Sequence, residues 1–250
     1  MTATPRAPEA APAPAAPPLA LVAAVIVGAL SVFVVVLLAA GVRHGTGFAH
    51  DDWRVLRDVR SHRNPVLVDA SNALADLGSI VTLVVVAIAV GLILRRRRVH
   101  PILCAAPLAS LLVAGGLVQI MKSAISRAGP HAQFRLGSHA AGSFPSGHSA
   151  DTTALSIGIA IVLVAVAVRR PAERVAVFGL AVALSLAVGV SRLVLGVHWP
   201  TDVVAGWAVG LGTAVGVATL AVLVTHDHPF ATARVERGPD VDTPEHHATR

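Results

Sequence analysis

The chain has 250 residues, 54% of them hydrophobic and 14% charged, with a mean hydropathy of +0.71. That composition lies outside the soluble globular range and excludes an ordinary water-soluble enzyme. The formal net charge of +6 comes from basic residues scattered over the segments between apolar runs, not from one contiguous face, so it excludes a nucleic-acid footprint.

In chain order, residues 1–18 are rich in Pro and Ala and are expected to be a disordered tail. Six apolar runs follow, at roughly 19–42, 75–94, 102–120, 152–168, 175–195 and 203–224, each long enough to cross a bilayer. The first is too long for the apolar core of a signal peptide and reads as a retained helix. A membrane barrel would show alternating strands of about ten residues instead, so every run reads as helix. The expected fold is all-α: a polytopic membrane protein with a bundle of six transmembrane helices over residues 19–225. Ala, Gly and Ser crowd the runs and permit close helix packing. Residues 226–250 read as a second disordered tail, whose His226, His228, His246 and His247 lack the fixed spacing of metal ligands. The single Cys104 lies inside the third run, so no intramolecular disulfide is possible.

Arg95 to Arg98, and Arg169, Arg170 and Arg174, mark two connections as cytoplasmic. With six spans, both termini then lie in the cytoplasm. The segments holding Lys122, His148 and His198 lie on the extracytoplasmic face of a multi-pass plasma-membrane protein. The first outer loop, 43–66, resists this assignment with Arg43, Arg54, Arg57, Arg60 and Arg63, which Asp51, Asp52 and Asp58 offset only in part.

Chemistry is concentrated in three segments at one membrane face. In the last, Ser191 and Arg192 are followed by His198 and Asp202, four residues apart, with Pro200 placed to open the final helix under a Trp199 cap. A carboxylate on one imidazole nitrogen fixes the tautomer and leaves the other nitrogen free as a nucleophile. A plain capping pair would share that spacing. In the second, Pro145-Ser146-Gly147-His148 runs into the fourth helix, whose first N–H groups make a ready anion site. Gly147 admits a phosphate close to the backbone and Ser146 offers a hydroxyl. His148 is placed to protonate a leaving oxygen and then activate water. Asp151 follows as a first-turn residue. In the first segment, Lys122 and Arg127 supply fixed cations for phosphoryl oxygens; snorkelling anchors would look alike.

Together these segments resemble the type 2 phosphatidic acid phosphatase (PAP2) superfamily, whose pattern is Lys-x6-Arg-Pro, Pro-Ser-Gly-His and Ser-Arg-x5-His-x3-Asp. The second and third blocks match in full, and the resemblance covers about residues 65–225. It implies that His198 is the nucleophile, Asp202 its partner and His148 the acid/base. It also implies that Lys122, Ser146, Gly147 and Arg192 hold the phosphate and that no metal or other cofactor is needed. The first block departs from the pattern: Lys122 and Pro130 fit, but Gly129 stands where the family has Arg. Either Arg127 or Arg135 then substitutes, or the enzyme is slow, or the chain is a non-hydrolytic relative.

The expected activity is hydrolysis of a lipid phosphomonoester or polyprenyl pyrophosphate through a phosphohistidine, with a membrane lipid phosphate as partner and no nucleic acid. The alternatives are a phosphotransferase with the same intermediate, a catalytically weak lipid-binding or transport relative, and a transporter. The last is disfavoured because the charges sit at helix ends, not at the bilayer midplane.

Overall fold

A computed structural model describes residues 19–136 and 142–226, with no side chain described for His226. The expected tails, including His228, His246 and His247, lie outside the described residues. Eight α-helices make up the described chain: α1 (Leu19–His44), α2 (Phe48–Ser61), α3 (Pro65–Leu77), α4 (Ile80–Arg96), α5 (Pro101–Ile125), α6 (Gly147–Val166), α7 (Pro171–Val194) and α8 (Pro200–His226). Five of them, α1 and α5 to α8, are each long and apolar enough to cross a membrane. The bent pair α3–α4 passes the same test of length and hydropathy when taken together. The protein is a multi-pass, all-helical membrane protein.

The bundle is centred on α6 and α8, which pack along their length and are flanked by α1, α5 and α7. Their approach is set by two glycines one turn apart on α8. A Cβ on Gly206 would lie 2.5 Å from the Ser146 carbonyl oxygen and 2.8 Å from Ser149 Cβ, and one on Gly210 would strike the Ala150 carbonyl. In a bilayer, where lipid is as apolar as Leu, such small-residue contacts supply the packing that burial supplies in water. Large apolar side chains such as Phe33, Val175 and Leu180 point outward, as lipid-facing surface requires.

The run read as helix over 75–94 begins in α3 and continues through α4. Asn64 caps α3 by accepting from Leu67 N at 2.9 Å. The chain then breaks at Gly78-Ser79, where Ser79 caps α4 by accepting from Thr82 N at 3.3 Å, and the two helices meet at 53°. Serine competes with the helix for backbone groups and so favours a new start. The first outer loop is likewise not a loop. It holds α2, an amphipathic helix lying against the ends of α7 and α8. Its arginines are employed there: Arg54 pairs with Asp51, Arg54 and Arg57 stack on Trp53, and Arg60 lies over Phe134 in a short 3₁₀ turn, Ala132–Phe134.

Alternating helix direction brings the end of α5, the start of α6, the end of α7 and the start of α8 to one end of the bundle. Arg95–Arg98 and Arg169, Arg170 and Arg174 lie at the other.

Candidate active site

The candidate side chains are carried by helix termini and the turns that follow them. Lys122 lies in the last turn of α5 and Arg192 in the last turn of α7, where a cation complements the negative end of the helix dipole. Gly147 and His148 open α6, whose positive end faces the same space. His198 stands in the tight α7–α8 turn, shaped by Gly196 at φ +69°, a left-handed conformation that glycine adopts without strain. Leu136 N donates to Leu195 O at 2.9 Å, docking the segment after the 3₁₀ turn on the same loop.

A cavity of about 700 Å³ joins these groups. Lys122, Gly147, His148, Arg192 and His198 line its polar end, with Gln119 and Asp151 beside them. Its other wall is apolar and runs from Gly78 and Ile80 at the α3–α4 break down α5 through Gly116 and Gly115 to Leu111. From Lys122 to Leu111 a helix drops roughly 16 Å, about half the hydrocarbon thickness. The cavity is a slot with a cationic mouth and an apolar floor.

His198 is buried, 6% exposed, with Nδ1 3.5 Å from Asp202 Oδ2. Burial holds its imidazole below the ordinary histidine value of 6.5, and Asp202 opposes that shift through a hydrogen bond and its charge. Asp202 sits at the third position of α8, and its Oδ2 accepts from Trp199 N at 2.9 Å. It therefore closes the cap and faces the imidazole at once, so the capping and catalytic arrangements are one geometry. His148 lies against the Ala75 backbone of α3. Asp151 Oδ1 and Arg192 Nε are buried without a hydrogen-bond partner among the described residues.

Two expected phosphate ligands are not among the residues that line the cavity. Ser146 is fully buried as the N-cap of α6: its Oγ accepts from Ser149 N at 3.4 Å and from Ser149 Oγ at 3.0 Å, and its N–H donates to Asp202 O at 2.9 Å. Its N–H ties the start of α6 to the first turn of α8. Arg127 does not line the cavity either. Its guanidinium is taken up by Asp202 Oδ1 at 2.6 Å, Asp52 Oδ2 at 2.6 Å and Thr201 Oγ1 at 2.8 Å, and it stacks on Trp199. Neither it nor Arg135 stands at the cavity to replace the arginine absent at Gly129.

The residue that sequence reasoning missed is Asp52 on α2, 3% exposed. Its Oδ1 accepts from Thr201 N at 2.9 Å and its Oδ2 from Thr201 Oγ1 at 2.5 Å. Burial pushes its carboxyl above the ordinary aspartate range, against the pull of its Thr201 and Arg127 contacts. In the sequence it is one of three acids among five arginines, and nothing in that pattern separates it from Asp51.

Among the described residues no group of three or more His, Cys, Asp or Glu is arranged to hold a metal ion. The polar end of the slot presents fixed cations, helix N–H groups and two imidazoles, a set suited to binding a phosphoryl group and passing it to nitrogen.

Residues 102–225 match the family model of the PAP2 superfamily. No curated protein matches the chain by sequence. Among solved structures, the fold matches a transmembrane PAP2-type phosphatidylglycerolphosphate phosphatase from Bacillus subtilis, with a TM-score of 0.68 and 24% identity over 82% of this chain and 98% of that one. It also matches LpxE from Aquifex aeolicus, with a TM-score of 0.50 and 22% identity over 70% of this chain and 94% of that one. The matched segment carries Lys122, the Pro145–His148 block and the Ser191–Asp202 block on the helix ends that form the slot, and the chain belongs to the PAP2 superfamily as an all-helical membrane protein.

Proposed function

We propose that the protein is a phosphatase acting on a membrane lipid that ends in a phosphomonoester or pyrophosphate, through a phosphohistidine formed on His198. The observation that carries this reading is the slot: cations and two histidines at its mouth, and an apolar wall reaching roughly 16 Å along α5. A soluble phosphate ester has no use for that wall, whereas a lipid phosphate fills both ends. The name of the Bacillus subtilis neighbour, a phosphatidylglycerolphosphate phosphatase, agrees with this reading.

In the mechanism, Lys122, Arg192, the Gly147 N–H and the start of α6 hold the phosphoryl oxygens. His198 Nε2 attacks phosphorus, forming a P–N bond as the bond to the lipid oxygen breaks. His148 donates a proton to that leaving oxygen. Asp202 receives the charge that develops on the His198 ring. His148 then takes a proton from water as it attacks phosphorus, the P–N bond breaks, and phosphate leaves with His198 restored. Fixed cations fill the role a metal would have.

Phosphate release from phosphatidic acid, phosphatidylglycerophosphate and polyprenyl pyrophosphate by the purified protein in detergent tests the reading. Turnover of at least one, abolished in His198→Gln, supports it; no release from any of them sinks it. The domain assignment follows: residues 19–225 carry the activity, and the flanking segments 1–18 and 226–250 are dispensable for it.

A further inference from the structure

We propose that Asp52 and Arg127 are positioning residues of the active site, forming a clamp by which the outer helix α2 sets the orientation and charge of Asp202. The proposal rests on the functional reading above. Arg127 lies two residues beyond α5, Asp52 lies on α2, and Thr201 and Asp202 lie in the first turn of α8, so three elements meet in one network. Arg127 Nη1 donates to Asp202 Oδ1 at 2.6 Å and Nη2 to Asp52 Oδ2 at 2.6 Å. Asp52 in turn accepts from both the N–H and the hydroxyl of Thr201. All four residues are withdrawn from solvent, with Asp52 3%, Asp202 0% and Thr201 4% exposed, and the Arg127 side chain 13%.

Two consequences bear on His198. First, both oxygens of Asp202 are spoken for: Oδ1 by Arg127 and Oδ2 by Trp199 N, 3.5 Å from the imidazole. Without Arg127, Oδ1 loses its donor and the Trp199 N–H alone is left to orient the carboxylate against the ring. Second, one guanidinium stands between two carboxylates. Paired with Asp202 alone, Arg127 would cancel the charge that stabilises a phosphorylated imidazole. Shared with Asp52, it leaves net negative charge facing His198, so Asp52 acts on catalysis without touching substrate.

The test compares Asp52→Asn, Arg127→Gln, Arg127→Lys and the Asp52→Asn/Arg127→Gln double variant, using kcat and KM on the best lipid of the panel and inhibition by orthovanadate as a phosphoryl mimic. Asp52→Asn and Arg127→Gln should each lower kcat about tenfold to a hundredfold, with KM nearly unchanged, because neither residue lines the substrate slot. Vanadate inhibition should weaken in parallel. The double variant should be no worse than Arg127→Gln alone, since coupled residues do not give multiplicative losses. Arg127→Lys should recover part of the rate. Should Arg127→Gln fail to fold, Asp52→Asn and Arg127→Lys decide the matter. Full kcat in Asp52→Asn, a rise in KM without loss of kcat, or multiplicative losses in the double variant would overturn the clamp while leaving the phosphatase standing. A wild-type protein with neither lipid turnover nor vanadate-sensitive activity overturns the functional reading and the clamp with it.

Discussion

At the scale of single residues, the proposed chemistry turns on His198, which is buried and faced by one carboxylate. His198→Ala should abolish turnover and any acid-labile phosphoenzyme, checked by trapping labelled enzyme after brief exposure to substrate. Asp202→Asn should keep a measurable fraction of kcat, because the amide still caps α8 while losing the charge that faces the ring. The pH dependence follows from the environment of the imidazole. Burial lowers its proton affinity, Arg192 and Lys122 add to that lowering, and Asp202 works against it. A histidine depressed below 6.5 stays unprotonated, and therefore nucleophilic, as the pH falls through 6.5. The acid limb of kcat/KM due to His198 should accordingly lie below pH 6.5, after correction for the second ionisation of the substrate phosphate. A limb well above that value would show that the ring is not desolvated as described.

At the scale of elements, α6 and α8 are the spine that delivers the site, and their spacing depends on the absence of side chains at Gly206 and Gly210. Gly206→Ala places a methyl 2.5 Å from the Ser146 carbonyl. It should cost about 1–3 kcal/mol by overpacking and lower both melting temperature and activity, since Ser146 links the starts of both helices. Gly216→Ala on the same helix meets nothing within 4 Å and should be neutral or slightly stabilising by helix propensity. Thermal melting of both variants in the same detergent makes the comparison, and equal shifts would refute the packing argument. The α3–α4 break sets Gly78 and Ile80 into the wall of the slot.

At the scale of the whole molecule, the arginine clusters and the slot occupy opposite ends of the bundle, and the orientation proposed from the positive-inside tendency has the slot outside. In a Cys104→Ala background, Gln133→Cys at the slot end should react with an impermeant thiol reagent in intact cells, and Arg97→Cys only after lysis. The reverse pattern would move the substrate to the inner leaflet. Activity should also survive exhaustive EDTA treatment, because Lys122 and Arg192 supply the positive charge at the mouth; loss restored by magnesium or zinc would overturn that assignment.

Much of this was legible in the sequence by itself. Long apolar runs report helices through the cost of unsatisfied backbone in lipid. The blocks around His148 and His198 report chemistry, because their residue types and spacing are local properties of a turn. Lys122, Gly147, His148, Arg192 and His198 do meet, as helix ends of alternating direction must when packed antiparallel. What only the tertiary structure decided concerns partners distant along the chain. Arg127 read as a phosphate ligand because a cation near the motif is all that one dimension displays. Its distance from the cavity follows from Asp52, some 75 residues away, which no local pattern connects to it. Ser146 read as a hydroxyl donor, and the fold adds a second role, since its Oγ caps α6 by accepting from Ser149 N and Oγ. The bend at Gly78-Ser79 and the docking of α2 likewise arise from contacts between elements, and hydropathy records only whether a segment is apolar, not which neighbour it meets.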